Sequence, residues 1–179
     1  MRIRKAVLGV AMLGALLLGT TAAFGATAAS PPAGGAIKVF ATPSNGVKGK
    51  IVITGAIGDF GTTTNVTKSG KPTSNGSYVK IKLQKGGFTV NAVALNKKIN
   101  SVKPNVNTTT CSFSASASSP VTLSQGTGQY AGISGKVKIT AAFAFLFPRT
   151  AGGSCNMKNN AKPAAEYQSI QGSGHVSFG

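Results

Sequence analysis

Acidic side chains are almost missing from this chain. Its 179 residues carry 19 Lys and Arg against two Asp and Glu, a formal net charge of +17. Asp59 and Glu166 are the only carboxylate side chains available for acid–base work, and they share no motif. A paired-carboxylate hydrolase needs two acids in one cleft. Here Asp59 lies in Gly58-Asp59-Phe60-Gly61, which reads as a turn, and Glu166 in Ala164-Ala165-Glu166-Tyr167, which reads as a partner for one of many lysines. There is one histidine, His175, and no tryptophan. A lone imidazole without a tight Cys/His cluster gives no metal-ligand set. A Ser-His-Asp triad through His175 and Asp59 lacks the G-x-S-x-G elbow that would present its nucleophile, and His175 reads as an outward strand residue. No catalytic set emerges, and nothing calls for a cofactor. Arg149 is the only arginine beyond residue 4, so the planar fork that reads phosphates and base edges is nearly absent. Aromatic platforms for single-stranded nucleic acid are also few, with Tyr78 and Tyr167 the exposed candidates. Specific nucleic-acid recognition is not expected.

Long apolar runs are lacking except at the start. Residues 1–5 carry three positive charges, residues 6–19 are uncharged and apolar, and Ala26-Thr27-Ala28 has the small-x-small pattern of a signal-peptidase site. A membrane anchor is the competing reading, but a span needs roughly 20 apolar residues and this run is shorter. The expectation is a secretory signal peptide over 1–28, cleaved after Ala28 or, alternatively, after Gly25. A flexible lead-in over 29–35 and a single domain over 36–179 would follow. With no second long apolar stretch, the mature protein is expected to be extracellular and without a transmembrane segment. Losing Arg2, Arg4 and Lys5 leaves 16 cations against two acids, a net charge of +14. Such an imbalance attracts polyanions over a long range, although it also serves simply to keep a protein soluble.

Cysteine is sparse as well. Cys111 and Cys155 are the only two, and export to an oxidising compartment makes one disulfide the natural inference. It would close a loop with a 44-residue separation, stabilising the fold by about 3–4 kcal/mol on the chain-entropy estimate.

What is abundant is period-2 alternation. It runs through residues 37–40, 50–57, 78–85, 88–95, 111–117, 136–147 and 175–178. In 78–85, Val79, Ile81 and Leu83 take one face while Lys80, Lys82 and Gln84 take the other. In 136–147, Val137, Ile139, Phe143, Phe145 and Phe147 point inward while Lys136, Lys138 and Thr140 point to water. Asn45-Gly46, Asn75-Gly76 and Lys85-Gly86-Gly87 supply turn chemistry. The tracts 61–77 and 100–110 read as loops, interrupted by Pro72 and Pro104. A short helix over 92–99 would put Val93, Leu95 and Ile99 on one face. The class is all-β: a single antiparallel β-barrel, or a sandwich, of about seven to eight strands.

Residues 126–135 read Gly-Thr-Gly-Gln-Tyr-Ala-Gly-Ile-Ser-Gly. A dinucleotide fingerprint places its glycines between a strand and a helix, and a P-loop ends in Gly-Lys-Ser/Thr. Here the glycines precede a strand, so Gly126, Gly128, Gly132 and Gly135 read as a barrel corner with Tyr130 and Ile133 filling the space beside it. The same run resembles the glycine-rich G-T-G-x-[FY] bend of the dirigent and allene oxide cyclase barrels. That resemblance implies a barrel whose lumen holds a hydrophobic small molecule. Asp59 and Glu166 do not match the acidic residues those pockets use, so the resemblance extends to fold and not to chemistry. The chain as a whole is similar to a group of small secreted actinobacterial proteins with ITGAIGDFGTT-like and NNAKP…SIQGSGHVSF-like segments, a likeness that implies no activity.

Three functional expectations follow. The first is a non-enzymatic barrel that associates with an anionic polymer or envelope surface through Lys80, Lys82, Lys136 and Lys138. The second is a lumen-binding barrel for a hydrophobic small molecule, and the third a cationic toxin acting on competitor membranes.

Overall fold

The computed structural model describes residues 34–44, 47–158 and 161–179. The expected signal peptide, most of the lead-in and the Asn45-Gly46 turn lie outside the described residues. The elements in chain order are β1 (Gly34–Ser44), β2 (Lys48–Gly55), β3 (Asp59–Val66), β4 (Tyr78–Leu83), β5 (Gly86–Asn91), α1 (Val93–Ser101), β6 (Asn105–Asn107), β7 (Ser112–Gly128), β8 (Ser134–Leu146) and β9 (Ala165–Ser177). All strand pairings are antiparallel, in the order β5-β4-β3-β2-β1-β9-β8-β7. β5 then pairs back on β7 over Thr122–Gly128 and closes an eight-stranded barrel. β6 is an additional strand on the far end of β7. Closure removes the sheet edges that a sandwich would leave open.

Alternation explains the wall. On β4, Ile81 and Leu83 are buried while Lys80 and Lys82 are exposed; on β8, Val137, Ile139 and Ala141 are buried while Lys136, Lys138 and Thr140 are exposed. β7 keeps the same rule with smaller residues. Ala117, Ser119, Val121 and Leu123 face in, and Ser116, Pro120 and Thr122 face out.

Several segments differ from the sequence expectation: β7, read over 111–117, runs on to Gly128, and the 88–95 alternation is strand only to Asn91 before α1 begins. The Thr-rich run at 61–66, read as loop, is most of β3. β9 starts at Ala165 rather than near His175, and β1 starts at Gly34, whose partner is Ser177, so the lead-in is shorter than expected. The tract 100–110 holds the end of α1 and the short strand β6.

The connections sort by end. One end carries the β2–β3, β4–β5 and β7–β8 turns together with both strand termini at Gly34 and Ser177; the other carries the β3–β4 loop and α1. The sequence's one bridge, Cys111–Cys155, ties the connection after β8 to the residue preceding β7. Arg149 reinforces it, donating from Nη2 to the Thr109 carbonyl at 2.5 Å and from Nη1 to that of Gly153 at 2.6 Å.

Candidate ligand-binding lumen

The turn-bearing end of the barrel is plugged. Asp59, at the start of β3, is only 7% exposed. Its Oδ2 accepts from the Tyr130 hydroxyl at 2.6 Å and the Lys85 N–H at 3.1 Å, and its Oδ1 accepts from the Phe60 N–H at 2.7 Å. Burial works to raise this carboxyl, but the hydrogen bonds from Tyr130 and the backbone outweigh it and hold the group below its ordinary value. The Tyr130 hydroxyl moves the other way, pushed up first by burial and then by its bond to the Asp59 carboxylate. Around this latch Tyr130 packs edge-on against Phe88 at 6.0 Å between ring centroids and beside Phe178 at 6.2 Å. Asp59 is thus a buried structural acceptor at the start of β3, where its Gly-rich surroundings read as a turn.

The glycine-rich run builds the corner over this plug. β7 carries one extra residue against β5, because Thr127 and Ser124 face Gly87 and Thr89. The bulge falls at Gln125–Gly126, with Gln125 at φ 57°. A Cβ at Gly126 would run into the Tyr130 backbone carbonyl, so the chain folds back on itself here only without a side chain. Gly128 and Gly132 turn the chain at φ 61° and 73°, and Gly135 at φ 147° restarts it as β8. Tyr130 and Ile133 are buried beneath, each 3% exposed. The run thus forms the bulge and turn that join β7 to β8, and Tyr130 beneath it both fills space and bonds Asp59.

Beyond the plug the barrel holds a cavity of about 1020 Å³. Its walls are the inward faces of the strands, including Ile37, Val39, Ile53, Ile81, Phe88, Val90, Leu123, Val137, Ile139 and Ile170. Ala92, Leu95 and Ile99 from α1 and its N-cap border it at the far end. The helix is fastened to the β3–β4 loop: Asn96 donates from Nδ2 to the Gly76 carbonyl at 3.0 Å, and the Ala92 N–H donates to that of Ser77 at 2.9 Å. The polar lining is gathered at this same end, in Thr63, Asn65, Asn75, Asn96, Asn100, Glu166 and Gln168. The cavity is apolar in depth and rimmed at one end with amides and hydroxyls, together with Lys48 and Glu166. Phe143, expected in the packed core, is half-buried and borders this space.

The four lysines singled out from the sequence are all exposed on the outer wall, but the fold does not gather them. Lys80 and Lys82 are on β4, while Lys136 and Lys138 are on β8, with β5 and β7 between. Each pair has other neighbours. Lys82 and Lys50 flank Thr62, and Lys80 and Lys48 flank Thr64, across β2, β3 and β4. Lys138 and Lys38 flank Ser173, and Lys136 pairs with His175, across β8, β9 and β1. His175 is exposed and outward, as its place in the alternation implied. Sequence reasoning did not find the polar rim or the Asp59–Tyr130 latch. The signal for the latch was present in part: Asp59 is one of only two acids, and Tyr130 the one aromatic in the glycine run.

No protein-family model, curated protein or solved structure matches this chain.

Proposed function

We propose that this protein is a secreted binding barrel whose lumen holds a hydrophobic small molecule with one polar, hydrogen-bonding end. The observation that carries the reading is the cavity of about 1020 Å³, apolar in depth and polar at a single rim. Ligand sites commonly span about 300–1,000 Å³, lined by apolar side chains with a few polar groups that fix orientation. An eight-stranded barrel is just wide enough to be filled by side chains or to hold one small ligand. In this barrel one end is filled by the Tyr130 plug and the rest is not. The apolar body of a ligand would lie against Phe88, Leu123 and Val137, and its polar end would meet Asn65, Asn96 and Gln168. The likeness of Gly126–Gly135 to the dirigent and allene oxide cyclase bend supports the same reading. Glu166 is the only carboxylate among the described lining residues and lies at the rim, so the reading is one of binding.

Native mass spectrometry of the purified protein, with displacement of an environment-sensitive apolar dye, tests this. A copurifying small molecule is expected. Ala41→Trp, which fills part of the lumen, is expected to weaken dye binding at least about ten-fold while unfolding stays cooperative. Dye affinity unchanged in that variant, with no copurifying molecule, would overturn the reading.

A second reading, association with an anionic polymer or envelope surface, is favoured by the outward lysines. Lys38, Lys136 and Lys138 on one wall and Lys80 and Lys82 on another stand on strands whose opposite faces are apolar.

A further inference from the structure

We infer that the outer wall formed by β1, β2 and β3 is a docking face for anionic lipid bilayers. Phe40 pairs with Val52, and Val52 with Phe60, across these three strands. All three side chains take the outward parity and are 45%, 49% and 59% exposed. Neighbouring strands lie about 4.8 Å apart, so the row is a continuous apolar strip roughly 10 Å long rather than three scattered residues. Outward lysines border it on both sides. Lys38 stands two residues before Phe40 and Lys50 two before Val52, and Lys50 continues through Thr62 to Lys82. Lys38, Lys50 and Lys82 are all exposed.

Charge decides what covers this strip. The protein has two acidic residues in all. Asp59 is buried in the plug, and Glu166 is on the lumen rim of β9, so the face carries cations and no anion. A second copy seated on the strip would bring like-charged lysines together in a partly dry interface. A soluble acidic polymer would satisfy the lysines and leave both phenylalanines in water. An anionic bilayer satisfies both sets. Phe40, Val52 and Phe60 enter the boundary between headgroups and acyl chains, and the lysines extend their apolar stems along it with the ammonium groups at the lipid phosphates. The inference does not depend on the lumen holding a ligand.

The test is co-sedimentation with phosphatidylcholine vesicles, with and without phosphatidylglycerol, run beside retention on heparin. Binding is expected only where phosphatidylglycerol is present. Phe40→Ser/Phe60→Ser is expected to lose about ten-fold or more in vesicle partition with heparin retention unchanged. Lys50→Gln/Lys82→Gln is expected to lose about ten-fold on vesicles and to weaken on heparin as well. The natural chain has no tryptophan, so a single introduced one reports its own depth. Phe60→Trp is expected to shift its emission to the blue on phosphatidylglycerol vesicles. Thr122→Trp, exposed on β7 four strands round the barrel from β2, is expected not to. Three results would each overturn the inference. They are wild-type vesicle binding in the Phe variant, no shift in Phe60→Trp, and a dimer in solution that the Phe substitutions dissociate.

Discussion

Asp59 is one of two side-chain carboxylates in the molecule and the one that is buried. Its folded form lies below its ordinary value, because donors on Tyr130, Phe60 and Lys85 outweigh the cost of burial. A carboxyl depressed on folding contributes stability that is present above its unfolded value, near 4, and is lost as pH falls through the folded value. Tyr130 has the opposite sign. Its hydroxyl is raised by burial and by Asp59, so its contribution is complete below about pH 10 and fades as pH rises above that. The latch therefore weakens at both extremes. Tyr130→Phe removes a donor to a charged acceptor and is expected to cost about 1.5–3 kcal/mol at neutral pH by urea unfolding. Asp59→Asn is expected to flatten the acid limb of the stability–pH curve. So few acids are present that this limb has few other sources, and an unaltered slope would show that the latch does not govern acid sensitivity.

At the level of elements, the ends of β7 and β8 remote from the plug are joined by a covalent tie. Over Ser112–Ala117, β7 pairs with β8 and, at its tip, with β6, above the region where β5 closes the barrel. This region packs Phe113 on Phe145 at 5.6 Å between centroids and is anchored by Cys111–Cys155. Cys111→Ser/Cys155→Ser is expected to cost about 3–4 kcal/mol. Hydrogen exchange should show protection lost first in β6 and the adjoining ends of β7 and β8 and last around Tyr130; uniform loss would mean that the tie stabilises the barrel as a whole. The same elements mark what could be read from sequence. β4 and β8 were legible because lysine alternates with Ile, Val or Leu on walls with one wet and one apolar face. β3 was not, because its inward Thr63 and Asn65 meet the polar rim and its outward Thr62 and Thr64 meet water, so no contrast in polarity survives. Only the end of β9, from His175, was legible; its earlier part was hidden by Gly172 and Gly174 at barrel positions where a Cβ would strike Ile139 or the Lys136 carbonyl. The lumen itself was accessible only through resemblance. Alternation tells which side chains point inward, and whether they meet across the axis depends on strand count and closure.

For the whole molecule the governing quantity is the charge of the outer surface. Among the described residues, 16 cations face two acids. One of those acids is buried in the plug. The lysines are spread over at least two walls: Lys48, Lys50, Lys80 and Lys82 across β2–β4, and Lys38, Lys136 and Lys138 across β1, β9 and β8. Under the second reading, a flexible polyanion would wrap the barrel, each ammonium adding a small, screened increment. Retention on heparin or wall teichoic acid should then fall steeply as salt rises, since most of the free energy comes from released counterions. Changing Lys80, Lys82, Lys136 and Lys138 together to Gln should lower the eluting salt and make the log–log salt slope shallower by up to about three. The two pairs separate the geometries. Under wrapping, Lys80→Gln/Lys82→Gln and Lys136→Gln/Lys138→Gln each give about half of the effect and add, because they lie too far apart round the barrel to couple. If one wall alone carries the contact, a single pair accounts for all of it. Equal retention of wild type and the fourfold variant would remove these lysines from the surface chemistry, and retention that persists at high salt would instead assign the binding to the lumen.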